Sequence, residues 1–290
     1  MSAIVTPAYS QYILTFKCRD QLGVLASVSN TLYSNGAFIT EISHYGDPDT
    51  GQFFSRTVFD DRTLNVPMSE FKQIIALLAQ ELGMEYVLRS ASARRRVLVA
   101  VSKYNHCLNV LLTKWCCGAL DIDIVGVISN HENCRAVVEF YGLPYHYLPI
   151  TPATKPQQEA QILRLLAEYD VDLLVLARYM QILSDGLCEH LGPRAINIHH
   201  SFLPGFKGAK PYHQAHDRGV KVIGATAHYV TADLDEGPII VQEVEPIDHR
   251  LTAEQMVHVG HDIEATALAR AVKLHCEERV VMNGNRTVIL

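Results

Sequence analysis

The sequence predicts a doubly wound α/β domain with a mostly parallel sheet, preceded by a ferredoxin-like α+β domain. Three observations lead to this prediction. Residues 10–88 carry strand and helix patterns in the order β-α-β-β-α-β, which is the ferredoxin-like arrangement. Residues 89–96 are polar and basic, as expected of a linker. From Val97 onward, apolar runs alternate with helical patterns, which is typical of parallel strands joined by helices. We therefore expect one domain over 1–88 and another over 97–290.

The first domain begins with a strand-like run that leads into an amphipathic helix. Val24, Val28 and Leu32 fall on one helical face, and Asn35-Gly36 is a signal that ends a helix. Ser69 can cap a second helix. The patterns predict strands over 12–18, 38–45, 52–59 and 84–88, and helices over 24–34 and 70–82.

The second domain begins with Val97–Ser102, a continuous apolar run of the kind found in strands buried on both faces. The chain ends in a hairpin pattern around the turn Asn283-Gly284-Asn285. The remaining predicted strands are 122–129, 145–148, 173–177, 195–198, 222–230 and 239–244, and the predicted helices are 107–117, 132–141, 155–169, 184–190, 212–218 and 252–278.

Composition narrows the classes of partner. The chain has 290 residues, a net charge of −6 and 48% hydrophobic residues. The acidic balance argues against nucleic acid and anionic membrane surfaces. No apolar run reaches the roughly 18 residues of a membrane-spanning helix, and no secretory signal is visible before Tyr12. The seven cysteines contain no CxxC pair. We therefore expect reduced thiols in a cytoplasmic protein.

Residues 20–42, DQLGVLASVSNTLYSNGAFITEI, resemble the opening of an ACT domain, a small regulatory module. The resemblance covers roughly residues 10–88 and implies self-pairing and an amino-acid effector. It places the effector at Asp20, Gly23 and Asn35. Glycine at position 23 would let backbone amides approach a carboxylate, although a tight turn alone would also explain it.

The strand-like run 195–198 delivers two polar residues to its carboxyl end. Asn197 and His199 are two residues apart, so a strand points both to one face. Further along, an apolar run ends in His228 and an acid-rich loop with Asp235. In open α/β sheets, ligands bind beyond the carboxyl ends of strands. We expect Asn197, His199 and Asp235 to form one site. His200, the residue after His199, would point to the opposite face of the strand and is interpreted as structural.

These two segments are similar to the formyl-transferase family that uses 10-formyltetrahydrofolate. The resemblance covers roughly residues 96–285 and makes Asn197, His199 and Asp235 catalytic, with His228 in support. Attack on a formyl carbon creates an oxyanion and then releases an amine. Asn197 can donate a hydrogen bond to the oxyanion, and His199 can stabilise it and protonate the amine. Asp235 can order a water or keep His199 charged.

The same resemblance implies a folate cleft between two segments, 177–183 and 230–235. The residues carried over to it are Met180, Gln181, Leu183, Val230 and Leu234. Each apolar one, taken singly, would also fit an ordinary core. A metal is the rival explanation for a His-rich stretch. The HExxH spacing is absent and no thiolate lies near in sequence, so we expect neither metal nor cofactor.

The acceptor loop separates transferases from hydrolases. Glycinamide-ribonucleotide transferases carry Ser-Gly-x-Gly-Ser-Asn after the first strand, where glycines let backbone amides reach a phosphate. Here residues 102–107 read SKYNHC. Lys103 could still attract a phosphate, but Tyr104 and His106 would fill the pocket. His106 is therefore a further supporting residue, and water becomes the acceptor.

That loop and the preceding ACT-like region resemble the hydrolases of the family, the formyltetrahydrofolate deformylases. The resemblance implies hydrolysis of 10-formyltetrahydrofolate to formate and tetrahydrofolate, which supplies purine synthesis and balances one-carbon folate pools. Glycine or methionine is the implied effector, and a homo-oligomer such as a tetramer is implied. The alternatives are a formyl transferase with an amine, nucleotide-sugar or initiator-tRNA acceptor, and a non-catalytic amino-acid sensor. The acidic charge opposes the tRNA alternative.

Overall fold

A computed structural model describes residues 9–205 and 211–290. Residues 206–210, and the start of the chain where we expected no secretory signal, lie outside these residues. The chain divides into two compact units. One ends at Ala93 and also includes Glu277–Leu290, and the other is Arg94–Cys276. In the described part of the chain, no helix is long and apolar enough to cross a membrane.

The first unit has the ferredoxin-like arrangement that the sequence predicted. Its sheet has the order β2-β3-β1-β4, and all neighbouring strands are antiparallel. Phe16, Phe59 and Phe71 are fully buried between the sheet and its helices. The elements are β1 (Gln11–Arg19), α1 (Val24–Ser34), β2 (Phe38–Asp47), β3 (Gln52–Asp60), α2 (Met68–Leu82) and β4 (Glu85–Ser90).

The predicted linker 89–96 is wrong at both ends, and only residues 91–94 lie between the strands. Residues 89–90 complete β4, where Ser90 pairs with Tyr12, and β5 already begins at Arg95. The basic residues are part of a strand because acidic side chains neutralise them. Arg95 lies 3.0 Å from Asp172, and Arg96 forms a second ion pair with Asp123.

The C-terminal hairpin belongs to the first unit, which corrects the predicted domain of 97–290. Its strands are β12 (Val280–Asn283) and β13 (Arg286–Ile289), as the Asn-Gly-Asn turn predicted. Polar contacts attach it. Asn283 donates to the Asp47 carboxylate at 2.6 Å, and Thr15 and Arg56 donate to the backbone carbonyls of residues 278 and 277. The sequence carries no signal for these partners because they are more than 200 residues away.

The second unit is an α/β fold with a seven-stranded sheet in the order β11-β10-β9-β8-β5-β6-β7. The neighbouring strands from β9 through β8, β5 and β6 to β7 pair in parallel, while β10 is antiparallel to both its neighbours. The mostly parallel sheet is therefore confirmed. The strands are β5 (Arg95–Val101), β6 (Ile122–Ser129), β7 (Tyr145–Tyr147), β8 (Leu173–Leu176), β9 (Ala195–His199), β10 (Val222–Tyr229) and β11 (Ile239–Pro246). The helices are α3 (His106–Cys116), α4 (Arg135–Phe140), α5 (Lys155–Glu168), α6 (Asp185–Leu191), α7 (Pro211–Asp217) and α8 (Ala253–Cys276).

The strand order creates a crevice in the middle of this sheet. The chain runs outward from β5 through β6 to β7, and then returns to place β8 on the other side of β5. The connections at the carboxyl ends of β5 and β8 therefore lead in opposite directions. Such a switch point is where open α/β sheets bind ligands. The residues that follow β8 and β9 form the wall of this crevice.

Candidate active site

The structure brings Asn197, His199, His228 and Asp235 to one place. Antiparallel pairing of β9 with β10 sets Asn197 directly opposite His228. Asp235 follows β10 in the loop before β11, with a left-handed backbone (φ 57°) that is uncommon outside glycine. All four line one cleft of about 410 Å³. A backbone held in a sparsely populated conformation at such a place indicates that the loop serves the cleft.

His199 forms an ion pair with Asp235 on one side of its ring. Its Nδ1 is 3.2 Å from a carboxylate oxygen of Asp235, and only 5% of the side chain is exposed. Its Nε2 is buried and has no hydrogen-bond partner among the described residues. The hydrogen bond from His199 and then the nearby His228 ring outweigh burial and lower the pKa of Asp235. A charged carboxylate on one side of the ring leaves the other nitrogen for a ligand.

His228 fixes the orientation of Asn197. Its Nδ1 lies 2.8 Å from the Tyr229 carbonyl oxygen, and a carbonyl only accepts, so Nδ1 carries the hydrogen. In the neutral ring Nε2 is then an acceptor, and the Asn197 side-chain nitrogen lies 3.3 Å away. Glycine at position 237 lets the loop pass close to the Tyr229 carbonyl, since a Cβ there would overlap it. The second N–H of the Asn197 amide remains for a ligand.

All five residues predicted for folate binding line the same cleft. Met180 and Leu234 are more than half exposed, so they present apolar surface at its rim. The backbone N–H of Met180 donates to Ser102, and that of Val230 donates to Ala195. These two positions can therefore offer a ligand their carbonyl oxygens but not their N–H groups. Gln181 and Leu183 also line the cleft.

The sequence analysis gave no cleft role to two basic residues that line the cleft, His200 and Arg178. His200 also faces the cleft, with its ring 5.0 Å from that of His199, because β9 ends at His199 and strand alternation no longer applies. Burial, followed by the nearby Arg178, lowers the pKa of His200 to about 4. Arg178 was treated only as part of a segment. Its signal was a lone arginine directly after a buried apolar strand, with φ 62°.

His106 is not in the cleft, which corrects its predicted supporting role. It begins α3, where its Nε2 lies 2.8 Å from Glu264 of α8 and its ring stacks at 3.9 Å on His261. Tyr212 donates to the other Glu264 oxygen at 2.7 Å. Two packed helices decide this contact, so sequence spacing could not reveal it. We call His106, Tyr212, Arg178 and Glu264 the Glu264 cluster.

One group among the described residues has metal-ligand geometry. Ligand atoms of His106, Cys107 and Glu264 lie within 4.8 Å of one another. Arg178 Nε is 3.4 Å from the Glu264 oxygen that a metal would need. Burial raises the pKa of the Cys107 thiol well above its usual range. A positive neighbour and a protonated thiol both disfavour a cation, so this set fits a polar cluster better than a metal.

In the first unit the predicted effector residues separate. Asp20 and Gly23 line one open pocket with Phe53. Asn35 ends α1 and donates to the Thr31 carbonyl, so an 11-residue helix of about 16 Å separates it from Gly23. Asn35 is therefore corrected to a helix-capping residue. Gly23 adopts φ 96°, a conformation that glycine supplies without strain.

Comparisons with known proteins agree with this geometry. The family model described as Formyl transferase matches residues 95–272. The chain is 45% identical to formyltetrahydrofolate deformylase of Corynebacterium sp. (strain P-1), covering 97% of this chain and 98% of that one. It is 47% identical to the crystal structure of formyltetrahydrofolate deformylase from Burkholderia mallei, with a TM-score of 0.93 over 97% of this chain and 99% of that one.

A transferase structure is less similar. Glycinamide ribonucleotide transformylase 1 from Symbiobacterium toebii is 31% identical, with a TM-score of 0.64, and covers 68% of this chain and 94% of that one. The two deformylases named above match nearly the whole chain, whereas this transferase matches about two thirds of it. With its formyl-transferase-type fold and its full-length similarity, the chain belongs to the formyltetrahydrofolate deformylase family of hydrolases.

Proposed function

We propose that the chain hydrolyses 10-formyltetrahydrofolate to formate and tetrahydrofolate, with Asn197, His199 and Asp235 as the catalytic residues. One observation carries the assignment of the site. His199 has Nδ1 on a charged carboxylate and a buried Nε2 to which no described residue forms a hydrogen bond, in a cleft with apolar rims. This arrangement suits transfer of a proton at a group held in the cleft.

The first step is attack of water on the formyl carbon. A carbon–oxygen bond forms, and the carbonyl electrons move onto the oxygen. Asn197 can donate its free amide N–H to this oxyanion, because His228 already holds the other one. Removing one donor of this kind costs about 2.7–4 kcal/mol of barrier in comparable sites. His228 is therefore a positioning residue.

The second step breaks the carbon–N10 bond and needs one proton on the leaving nitrogen. His199 can give it from Nε2 and recover it from the attacking water. Asp235 lies on the opposite side of the ring and stabilises its charged form. Because the pKa of Asp235 is lowered, it stays ionised throughout the neutral range. The net products are formate and tetrahydrofolate.

The acceptor side of the site favours water. His106, one of the bulky residues in the place of the transferase glycines, is fixed on Glu264. A phosphorylated amine acceptor is therefore disfavoured on steric grounds, and the transferase alternative is less well supported.

The direct experiment is incubation of the pure chain with 10-formyltetrahydrofolate and no amine acceptor. Formate and tetrahydrofolate should appear in equal amounts. Turnover should persist after dialysis against a chelator, since the proposal includes no cofactor. Glu236→Gln is a matched control for Asp235→Asn, because Glu236 is an exposed carboxylate in the same loop and does not line the cleft. Product formation only after glycinamide ribonucleotide is added would refute the hydrolase assignment.

The first unit is proposed to be an ACT domain that regulates this activity. Its ferredoxin-like order and its pocket at Asp20 and Gly23 support the proposal. Glycine or methionine is the proposed effector, bound by its carboxylate near the Gly23 backbone. The turnover assay with each of the standard amino acids added singly tests this idea. An effect that survives Asp20→Asn and Gly23→Val together would place the effector elsewhere.

The wider role proposed for the chain follows from its products. Formate would supply purine synthesis, and tetrahydrofolate release would balance the one-carbon folate pools. Reduced thiols at all seven cysteines support a cytoplasmic location, with neither nucleic acid nor membrane as a partner. A homo-oligomer, such as a tetramer, is proposed because Phe38, Ile42 and Tyr45 expose apolar surface on the edge strand β2. Sedimentation velocity of the pure chain measures this property.

A further inference from the structure

Arg178 is a buried cation with unused hydrogen-bonding capacity. Only 8% of its side chain is exposed, and its buried Nε has no hydrogen-bond partner among the described residues. A guanidinium carries five N–H donors. Its ion pair with Glu264 is 3.4 Å long and does not have hydrogen-bond geometry. Buried arginines are normally paired and hydrogen-bonded, so this one requires a ligand to complete it.

Glu264 cannot be that ligand because its own needs are met. One carboxylate oxygen accepts from Tyr212 at 2.7 Å, and the other faces His106 Nε2 at 2.8 Å. Hydrogen bonding to His106, the charge of Arg178 and the Tyr212 hydrogen bond together outweigh burial and lower the pKa of Glu264. The carboxylate therefore balances the charge of Arg178 but does not use its N–H donors.

Arg178 lies at the catalytic cleft. It follows β8 at the switch point of the sheet, and it lines the same cleft as Asn197, His199 and Asp235. His200 lines this cleft too, with its ring 5.0 Å from that of His199, and the charges of Arg178 and His199 both act on it. A small anion held by Arg178 would therefore be near the catalytic histidine and shielded from solvent.

We propose that Arg178 forms a subsite for the carboxylate product, formate. This inference rests on the proposed hydrolysis. Water adds its oxygen to the formyl carbon, N10 leaves with a proton, and the formic acid formed loses its remaining acidic proton to solvent or His199. The new anion arises beside the Asp235 carboxylate, which repels it. A guanidinium matches a carboxylate with two parallel N–H···O bonds and guides it away from Asp235.

The carboxylates of the folate glutamate tail are a second source of the same chemistry. A glutamate tail must extend to solvent, whereas Arg178 is nine-tenths buried beside the catalytic residues. Formate is therefore the favoured source. The two sources predict different results. A contact with the tail changes the KM for the substrate, whereas a contact with the product changes inhibition by formate.

The experiment measures product inhibition by sodium formate in the wild type and in Arg178→Gln, with sodium chloride at equal ionic strength. Arg178→Gln should raise the inhibition constant for formate by at least about tenfold, the effect of losing a hydrogen bond to a charged group. The KM for 10-formyltetrahydrofolate should change little. An unchanged formate constant overturns the proposal, and a raised KM with an unchanged formate constant assigns Arg178 to the tail.

Two further variants and one binding measurement keep the test decisive. Arg270→Gln removes an exposed arginine that does not line the cleft, so its formate constant should match the wild type. If Arg178→Gln does not fold, Arg178→Lys keeps the charge without the fork and should weaken formate a few-fold. NMR line broadening of isotope-labelled formate reports binding without turnover. Turnover without Arg178-dependent formate binding refutes the subsite alone, while absent turnover refutes the proposed function.

Discussion

Two carboxylates in the second unit, the partly exposed Asp235 and the fully buried Glu264, are each held by histidine but differ in what remains unsatisfied around them. Asp235 contacts His199 and His228, and the buried Nε2 of His199 has no partner in the part of the chain that the structure describes. Glu264 contacts His106 and Tyr212, and both of its oxygens are used. Hydrogen bonds lower the pKa of both carboxyl groups. Charge state therefore does not separate a catalytic acid from a structural one.

The comparison shows that incomplete hydrogen bonding marks the reactive side. At Asp235 the next polar atom outward is open to the cleft. At Glu264 the oxygens are saturated, and the incomplete group is Arg178, which is positively charged. The first arrangement can move protons at a substrate, and the second can attract an anion. The cleft thus combines a group for proton transfer, His199, with a group for anion binding, Arg178.

Asp235→Asn should give the largest effect. Turnover of 10-formyltetrahydrofolate should fall by about 10²–10⁴-fold, because the amide no longer stabilises charged His199. Folate binding, measured by fluorescence titration, should persist because the cleft walls are unchanged. Nearly normal turnover would show that Asp235 belongs with Glu264 as a structural carboxylate.

Glu264→Gln should act on stability. It leaves Arg178 buried without its counter-charge, and breaking a buried pair in this way costs about 3–5 kcal/mol of unfolding free energy. Urea unfolding measures the loss. Glu243→Gln is the matched control, since its ion pair with Arg270 is near the surface and contributes at most about 1 kcal/mol. Equal losses in the two variants would contradict the structural role of Glu264.

Asn197→Ala should lower the turnover rate by about 10²–10³-fold with little change in KM, because the lost donor acts on the oxyanion. His228→Gln should give a smaller loss in the same direction, since it disturbs only the orientation of Asn197. Steady-state kinetics on both variants test the order. A larger loss in His228→Gln would make His228 the principal donor.

The smallest effect concerns pH. The folded-state pKa of Asp235 is lowered, so its contribution to stability is complete above the unfolded pKa of about 3.9 and is lost as pH falls through the folded value. The difference in unfolding free energy between wild type and Asp235→Asn should be constant from about pH 7 to pH 5 and should shrink below about pH 4. A difference that grows on acidification would show that the folded pKa is raised.

The sequence by itself determined the local parts of this protein. Apolar periodicity fixed the two folds, and strand spacing put Asn197 and His199 on one face. The Asn-Gly turn predicted the C-terminal hairpin, because these features depend on neighbouring residues. The family resemblance added the cleft residues that the structure brings together.

Only the tertiary structure decided which distant groups meet. His106 and Glu264 are 158 residues apart, and the packing of α3 on α8 makes them partners. The hairpin joined the first unit because Asp47 and its neighbours offered polar partners. Arg178 acquired its unused donors because the surrounding carboxylate was already saturated by Tyr212 and His106. Hydrogen-bond satisfaction is a property of all the groups in a site together, so no single stretch of sequence contains it.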